Sequence, residues 1–315
     1  NIWDLNGKKY TDMAQMGVGT CILGYSNDVI NKKIIKSIKD GNNSTLNSKD
    51  EFILAKKLLK IDKFAEQVKF ARGGGEAIDI AIRIARASTK RDNIIFSGYH
   101  GWYDWYLATN LTKKNGLKDH LLPGLDPMGV PKKLKNTVKP LRYNDIKELT
   151  KIKNPKSYAA FILEPCRFFY PEKKFIKKVN EFCKKNKICL IIDEITTGFR
   201  ETLGGIYKKV GLNPDMVVYG KGLGNGHPIS CIVGKKKFLK YSNQSFISST
   251  AWTERSGFVA ACAVIDFIKS KKVTSQISKN GKFLKKELIK ISKKNKIDIS
   301  VSEFNALSTF YFNYE

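Results

Sequence analysis

The uninterrupted apolar run Ile188-Cys-Leu-Ile-Ile192 passes directly into two carboxylates, Asp193 and Glu194. A strand without polar alternation has to be covered on both faces, as in a parallel sheet with helices above and below. The rest of the middle of the chain keeps that pattern. Strands are expected at 67–71, 93–97, near 138–143, and at 158–163, 216–219 and 229–233. Helices fall between them, one from the glycines at 73–75 to about Ser88 and another over 171–185. Ile78, Ala81, Ile82 and Ala85 form the buried stripe of the first. This alternation defines an α/β fold with a mostly parallel central sheet and helices on both faces. Such a sheet presents its ligand contacts at the carboxyl ends of its strands, where Asp193 stands.

Residues 2–16 read as short strands about an Asn6-Gly7 turn, and residues 28–40 as an amphipathic helix stopped by Gly41. Ser48 and Glu51 are spaced for a capping box opening a second helix to about Lys60. Beyond 233, the small residues Ala260, Ala261 and Ala263 permit close helix packing, and lysine-rich helix continues to about Lys294. Strands at 298–301 and 307–312 begin a smaller α+β unit. The expected division is an N-terminal strand segment over 1–26, a large α/β domain over 27–268, and the start of a small C-terminal domain over 269–315.

The net charge of +28 invites a nucleic-acid reading. Arginine, however, stands only at 72, 83, 86, 91, 142, 167, 200 and 255, and the lysines are spread along the whole chain. A recognition face needs arginine forks and localised aromatics, so a basic binding module is the weaker reading. The sequence holds no apolar run long enough for a bilayer and no signal peptide, which makes a cytoplasmic address the default. Cysteines 21, 166, 183, 189, 231 and 262 include no Cys-x-x-Cys pair and no histidine at ligand spacing. They read as core residues in a reducing compartment, with no metal site.

Three further stretches carry chemistry. Arg72-Gly-Gly-Gly75-Glu-Ala77 joins a strand to a helix N-terminus, an anion cradle of outward N–H groups with no Cβ in the way. A tight turn without ligand is the competing reading. Gly98-Tyr-His-Gly-Trp-Tyr-Asp-Trp-Tyr106 puts aromatics beside two glycines at a strand end, either a stacking platform for a ring or an aromatic core cluster. Lys221 lies between Gly220 and Gly222 after the strand at 216–219, where an amine can form a Schiff base if it is partly unprotonated. A solvated lysine in a surface turn is the alternative. The loop at about 112–131 is long enough for a lid or an interface arm. Cradle, platform, strand-end aspartate and glycine-flanked lysine together match pyridoxal 5'-phosphate, which needs a phosphate anchor, a ring contact, a carboxylate for its pyridine nitrogen and an amine for its aldehyde.

The sequence resembles the class III (subgroup II) aminotransferases of fold type I. The resemblance is carried, in family order, by Gly73-Gly-Gly-Glu-Ala77, Tyr99-His-Gly101, Glu164-Pro165, Ile191-Ile-Asp-Glu-Ile-Thr-Thr-Gly-Phe-Arg200 and Pro214-Asp ahead of Gly220-Lys221. It implies that Lys221 bears the cofactor and shuttles the proton, and that Asp193 pairs with the pyridinium nitrogen. It also implies that Ile195 and Tyr99 cover the two ring faces, and that Gly74 and Gly75 offer N–H groups to the phosphate. Thr250 would reach the phosphate of a neighbouring subunit, with Thr253 as the alternative, and such sharing implies a homodimer. The phosphate turn lacks the usual Ser or Thr. Cys166-Arg-Phe-Phe-Tyr170 replaces the usual Gln-Gly-Glu stretch and its gating carboxylate, which argues against an ornithine-type substrate.

Within the family, the likeness is greatest to glutamate-1-semialdehyde aminomutase relatives associated with polysaccharide synthesis, and the chain looks short at both ends. The implied activity is amino transfer between a donor such as glutamate and an aldehyde or ketone, with a sugar-related acceptor in view and an aminomutase as runner-up.

Overall fold

The structure, a computed structural model, describes residues 1–113, 116–120 and 124–313. A hairpin opens it, β1 (Ile2–Trp3) pairing with β2 (Lys9–Tyr10). Gly7 takes φ +80° in the turn, and Asp4 accepts the N–H groups of Asn6 and Lys8. Helix α1 (Asp28–Lys39) is capped by the Asn27 side chain, which accepts from Val29 and Ile30. Helix α2 (Lys49–Ile61) departs from expectation. Ser48 stands at the N-cap, but its hydroxyl is buried without a partner and makes no cap bond. Glu51 makes no return bond to the Ser48 backbone either, so the reciprocal box is not formed among the described residues.

The central sheet contains β3 (Gln67–Ala71), β4 (Asn93–Ser97), β5 (Val138–Pro140), β6 (Tyr158–Leu163), β7 (Cys189–Asp193), β8 (Met216–Tyr219) and β9 (Ser230–Gly234). Their spatial order is β3-β9-β8-β7-β6-β4-β5. From β5 to β8 all neighbours are parallel, and β9 runs antiparallel to both β8 and β3. Strand β3 therefore shares the direction of the parallel set.

The apolar run that defined the fold class lies mid-sheet as β7, and all of its residues are buried. Leu190 and Ile192 enter the core with Phe258, Ala261 and Val264 of α5 (Ser256–Lys271), together with Ile34 of α1 and Leu58 of α2. Cys189 and Ile191 enter the opposite core with Ile78, Ala81 and Ala85 of α3 (Gly74–Thr89). Burying each such isoleucine contributes about 2 kcal/mol, so neither face tolerates a polar replacement. Helix α4 (Lys173–Asn186) packs Phe175, Ile176 and Val179 into the first core.

Lys272, at φ +52°, breaks the last helical stretch into α5 and α6 (Val273–Lys294). Strands β10 (Ile299–Val301) and β11 (Phe310–Phe312) then pair antiparallel. Among the described residues no helix is long and apolar enough to cross a membrane.

Candidate active site at the carboxyl edge of the sheet

Because β3, β4, β6, β7 and β8 run the same way, the residues that follow them gather at one edge. There a cavity of about 360 Å³ is lined by Gly73, Gly74 and Gly75 after β3, and by Tyr99, His100 and Trp102 after β4. Asp193, Ile195 and Thr196 at the end of β7, Lys221 after β8, and His227 and Ile229 before β9 complete it. Its size suits a small organic cofactor. A wider groove of about 1180 Å³ at the opposite edge is lined by Arg91, Lys177, Lys184 and Lys237 and contains none of these groups.

Asp193 pairs with Val218 across β7 and β8, so its carboxylate and the amine of Lys221 leave adjacent strands. Asp193 Oδ1 accepts the N–H of Ile195 at 3.0 Å, and Oδ2 lies 2.8 Å from His100 Nδ1. The other ring nitrogen of His100 is 3.1 Å from the carbonyl of Ser97. A carbonyl can only accept. Nε2–H therefore donates to Ser97, and Nδ1 faces the Asp193 carboxylate. His100 thus holds Asp193 as an oriented, buried carboxylate.

Lys221 has φ +39°, in the left-handed region that a lysine rarely adopts, and follows the extended Gly220. Strain of this sort persists only where the surroundings over-determine it. Its Nζ donates to Thr196 Oγ1 at 3.1 Å. Burial lowers the pKa of the amine, Asp193 opposes the shift and Arg200 assists it. A larger share of Lys221 is therefore unprotonated than of an ordinary lysine, which is what a nucleophilic amine requires.

The glycine turn begins α3. Glu76 Oε2 accepts the N–H groups of Arg72 (2.7 Å) and Gly73 (3.1 Å), leaving those of Gly74 and Gly75 for a ligand. A Cβ on Gly74 would stand 3.0 Å from Ile195 Cδ1, and one on Gly75 2.8 Å from Tyr103 Cε2. Ile195 thereby packs between the turn and Gly220, whose own Cβ would lie 3.5 Å from it. The donors, the missing Cβ atoms, the carboxylate and the amine fit a phosphorylated pyridine aldehyde.

Tyr99 is held through its backbone, its N–H donating to Glu164 Oε2 at 2.8 Å. Arg167 grips that carboxylate with Nε (2.9 Å) and Nη2 (2.5 Å), and its guanidinium lies 5.7 Å from the centre of the Tyr99 ring. The platform expectation divides here. Tyr99 and Trp102 line the cavity, whereas Trp105 and Tyr106 pack on Phe96 in the core. The expected lid or arm at 112–131 falls partly outside the described residues. In its described part Leu117 and His120 are buried, and His120 Nδ1 accepts the N–H of Gly98 at 3.3 Å.

Thr250 is exposed and does not line the cavity, while the Thr253 hydroxyl bonds Asn43 Oδ1. The loop bearing both is bolted down by Arg72, which donates to the carbonyls of Ala251, Trp252 and Glu254. His100, Arg167, Thr196 and Arg72 were not singled out from sequence. His100 and Thr196 sit inside stretches that carry the family likeness, and Arg72 and Arg167 could have been flagged as arginines in a chain that otherwise uses lysine.

Residues 1–302 match the family model Aminotransferase class-III. The glutamate-1-semialdehyde 2,1-aminomutase of Methanosphaera stadtmanae is 32% identical over 325 residues, 99% of this chain and 74% of that protein. The 2'-deamino-2'-hydroxyneamine transaminase of Streptomyces kanamyceticus is 28% identical, over 92% of this chain and 70% of that one. Among solved structures, the PLP internal aldimine form of the Sphingopyxis sp. MTA144 FumI protein shares the fold with a TM-score of 0.88 at 21% identity, covering 98% of this chain and 73% of that one. The chain belongs to the class III aminotransferases, enzymes that use pyridoxal phosphate to move an amino group between an amine and an aldehyde or ketone.

Proposed function

We propose that Lys221 binds the cofactor and moves the proton in amino transfer from glutamate to a hydroxylated aldehyde or ketone, with Asp193 facing the ring nitrogen. The observation that carries this reading is the placement of Lys221 and Asp193 after adjacent hydrogen-bonded strands, both lining one cavity. Pyridoxal phosphate, when bound, supplies an aldehyde and a protonated pyridine that withdraws the electron pair left at the substrate Cα. Asp193, oriented by His100, keeps that nitrogen protonated. Lys221 Nζ would be the base that takes the substrate Cα proton and the acid that gives it back, and Thr196 Oγ1 accepts from that amine at 3.1 Å. Ile195 and Tyr99 would hold the ring, and Gly74 and Gly75 would offer N–H groups to the phosphate.

A homodimer with shared sites belongs to this proposal. The exposed Thr250, whose hydroxyl has no partner among the described residues, is better placed to reach a neighbour than the engaged Thr253. Exposed Trp3, Met13, Trp102, Met128 and Phe246 suit an interface. The buried free thiols of Cys166, Cys183, Cys189 and Cys231 suit a reducing cytoplasm. We also propose a large domain over 27–268 and a smaller C-terminal unit after it, preceded by the strand segment 1–26. A hydroxylated acceptor is supported by the likeness to the neamine transaminase, and an intramolecular aminomutase by that to the semialdehyde enzyme. Incubation of the loaded protein with glutamate alone separates the two: release of 2-oxoglutarate with a stable pyridoxamine spectrum supports the transferase.

The site assignment is tested by absorbance with pyridoxal phosphate before and after borohydride, in the parent and in Lys221→Ala. The expected result is a reducible linkage mapping to Lys221 and absent from the variant. A linkage that persists in Lys221→Ala, or maps to another lysine, refutes the assignment.

A further inference from the structure

The phosphate turn of this chain consists of glycines alone, so no hydroxyl from it can reach the cofactor's phosphate. The structure offers another donor at the same end of the cavity. The pairing of Ala71 with Ser230 sets residues 227–229 beside Arg72 and Gly73, and Ser230 Oγ donates to the Gly73 carbonyl at 2.8 Å. His227, which closes the glycine-rich loop begun by Lys221, therefore stands next to the turn and lines the cavity with it. Its backbone N–H is spent on Gly224, but its imidazole bonds no other described group. His100 and His120, by contrast, are both committed within the fold.

We propose that His227 is a phosphate ligand, its ring N–H taking the place of the hydroxyl missing from the turn at residues 73–75. This rests on the reading that the cavity binds pyridoxal phosphate. Burial lowers the pKa of the ring and Glu254 opposes the shift. A neutral imidazole still offers one N–H, which suffices beside the backbone donors of Gly74 and Gly75. One consequence is a division of labour along a single loop, with Lys221 at its start serving the aldehyde and His227 at its end serving the phosphate.

Affinities for pyridoxal phosphate and for pyridoxal, which has the aldehyde and ring but no phosphate, are measured by absorbance titration of the cofactor-free parent, His227→Ala and His227→Gln. Loss of one hydrogen bond to a charged group predicts roughly tenfold weaker binding of pyridoxal phosphate by His227→Ala. Pyridoxal should bind parent and variant equally. His227→Gln, which retains an N–H donor, should recover most of the loss and shows whether the alanine protein is merely misfolded. Unchanged binding of pyridoxal phosphate by both variants overturns the proposal while leaving the assignment of Lys221 intact. Equal weakening toward both aldehydes also overturns it, because the effect would then be structural. A parent that binds neither aldehyde overturns this inference and the cofactor reading together.

Discussion

Replacing Gly98 by alanine tests whether the mouth of the cavity is as tightly determined as its geometry implies. Gly98 has φ +113°, a region that L side chains rarely adopt. Holding a non-glycine residue in such a region costs about 1–3 kcal/mol. The new Cβ would also lie 2.5 Å from Glu164 Oε2, 2.8 Å from its Cγ and 3.0 Å from its Cβ. Glu164 cannot swing aside cheaply, since it is buried and holds both the Tyr99 N–H and the Arg167 fork. Forcing a methyl group into such a site costs a further 1–3 kcal/mol, for a total of about 4 kcal/mol.

Equilibrium urea unfolding measures this as a fall in midpoint at constant slope. Gly211→Ala is the control, because Gly211 has φ +83° and nothing within 4 Å of its would-be Cβ. That variant should lose only about 1 kcal/mol, from backbone strain alone. If Gly98→Ala costs no more than Gly211→Ala, the close packing of Glu164 beneath Tyr99 is not real and the account of how Tyr99 is positioned fails.

Two other perturbations probe buried charge. Removing Arg167 as Arg167→Ala strands the Glu164 carboxylate, which should cost about 3–5 kcal/mol; the double variant with Glu164→Gln should regain much of it, and purely additive losses in denaturation would argue against the pair. Burial pushes the Glu194 carboxyl up to about 7 from an ordinary 4.5, against the opposing bonds from Thr197 and Tyr207. The folded protein then keeps a proton that the unfolded chain has already released, so this group favours folding most below pH 4.5 and progressively less up to about 7. The change is on the order of 3 kcal/mol. The stability difference between the parent and Glu194→Gln should fall by that amount over this window, and a pH-independent difference would contradict it.

Local grammar made Asp193 and Lys221 legible. An apolar run ending in a carboxylate, and a lysine set in glycines after a strand, are both patterns contained within a few residues. The partners of these groups are not local. His100 meets Asp193 across 93 residues of chain, and Arg72 reaches Ala251 across 179. Only the order and register of β3, β4, β7 and β9 bring them together, and no spacing rule contains that order. Ser48 shows the converse, a well-formed local signal that tertiary packing overrides.

The one compositional clue to the distant contacts was the scarcity of arginine. A chain that meets its general need for positive charge with lysine keeps arginine where a planar fork has geometric work. Arg72 spans three carbonyls, Arg167 grips a buried carboxylate, Arg200 bonds the carbonyls of Gly19 and Thr196, and Arg255 ties Asp50 to the Gly41 carbonyl. Arg72, Arg200 and Arg255 join segments distant in the chain, whereas Arg167 locks Glu164 within one loop beneath Tyr99. The same +28 charge that first suggested a polyanion partner therefore divides into two populations, a diffuse lysine surface and a few arginines that hold the active-site loops in register.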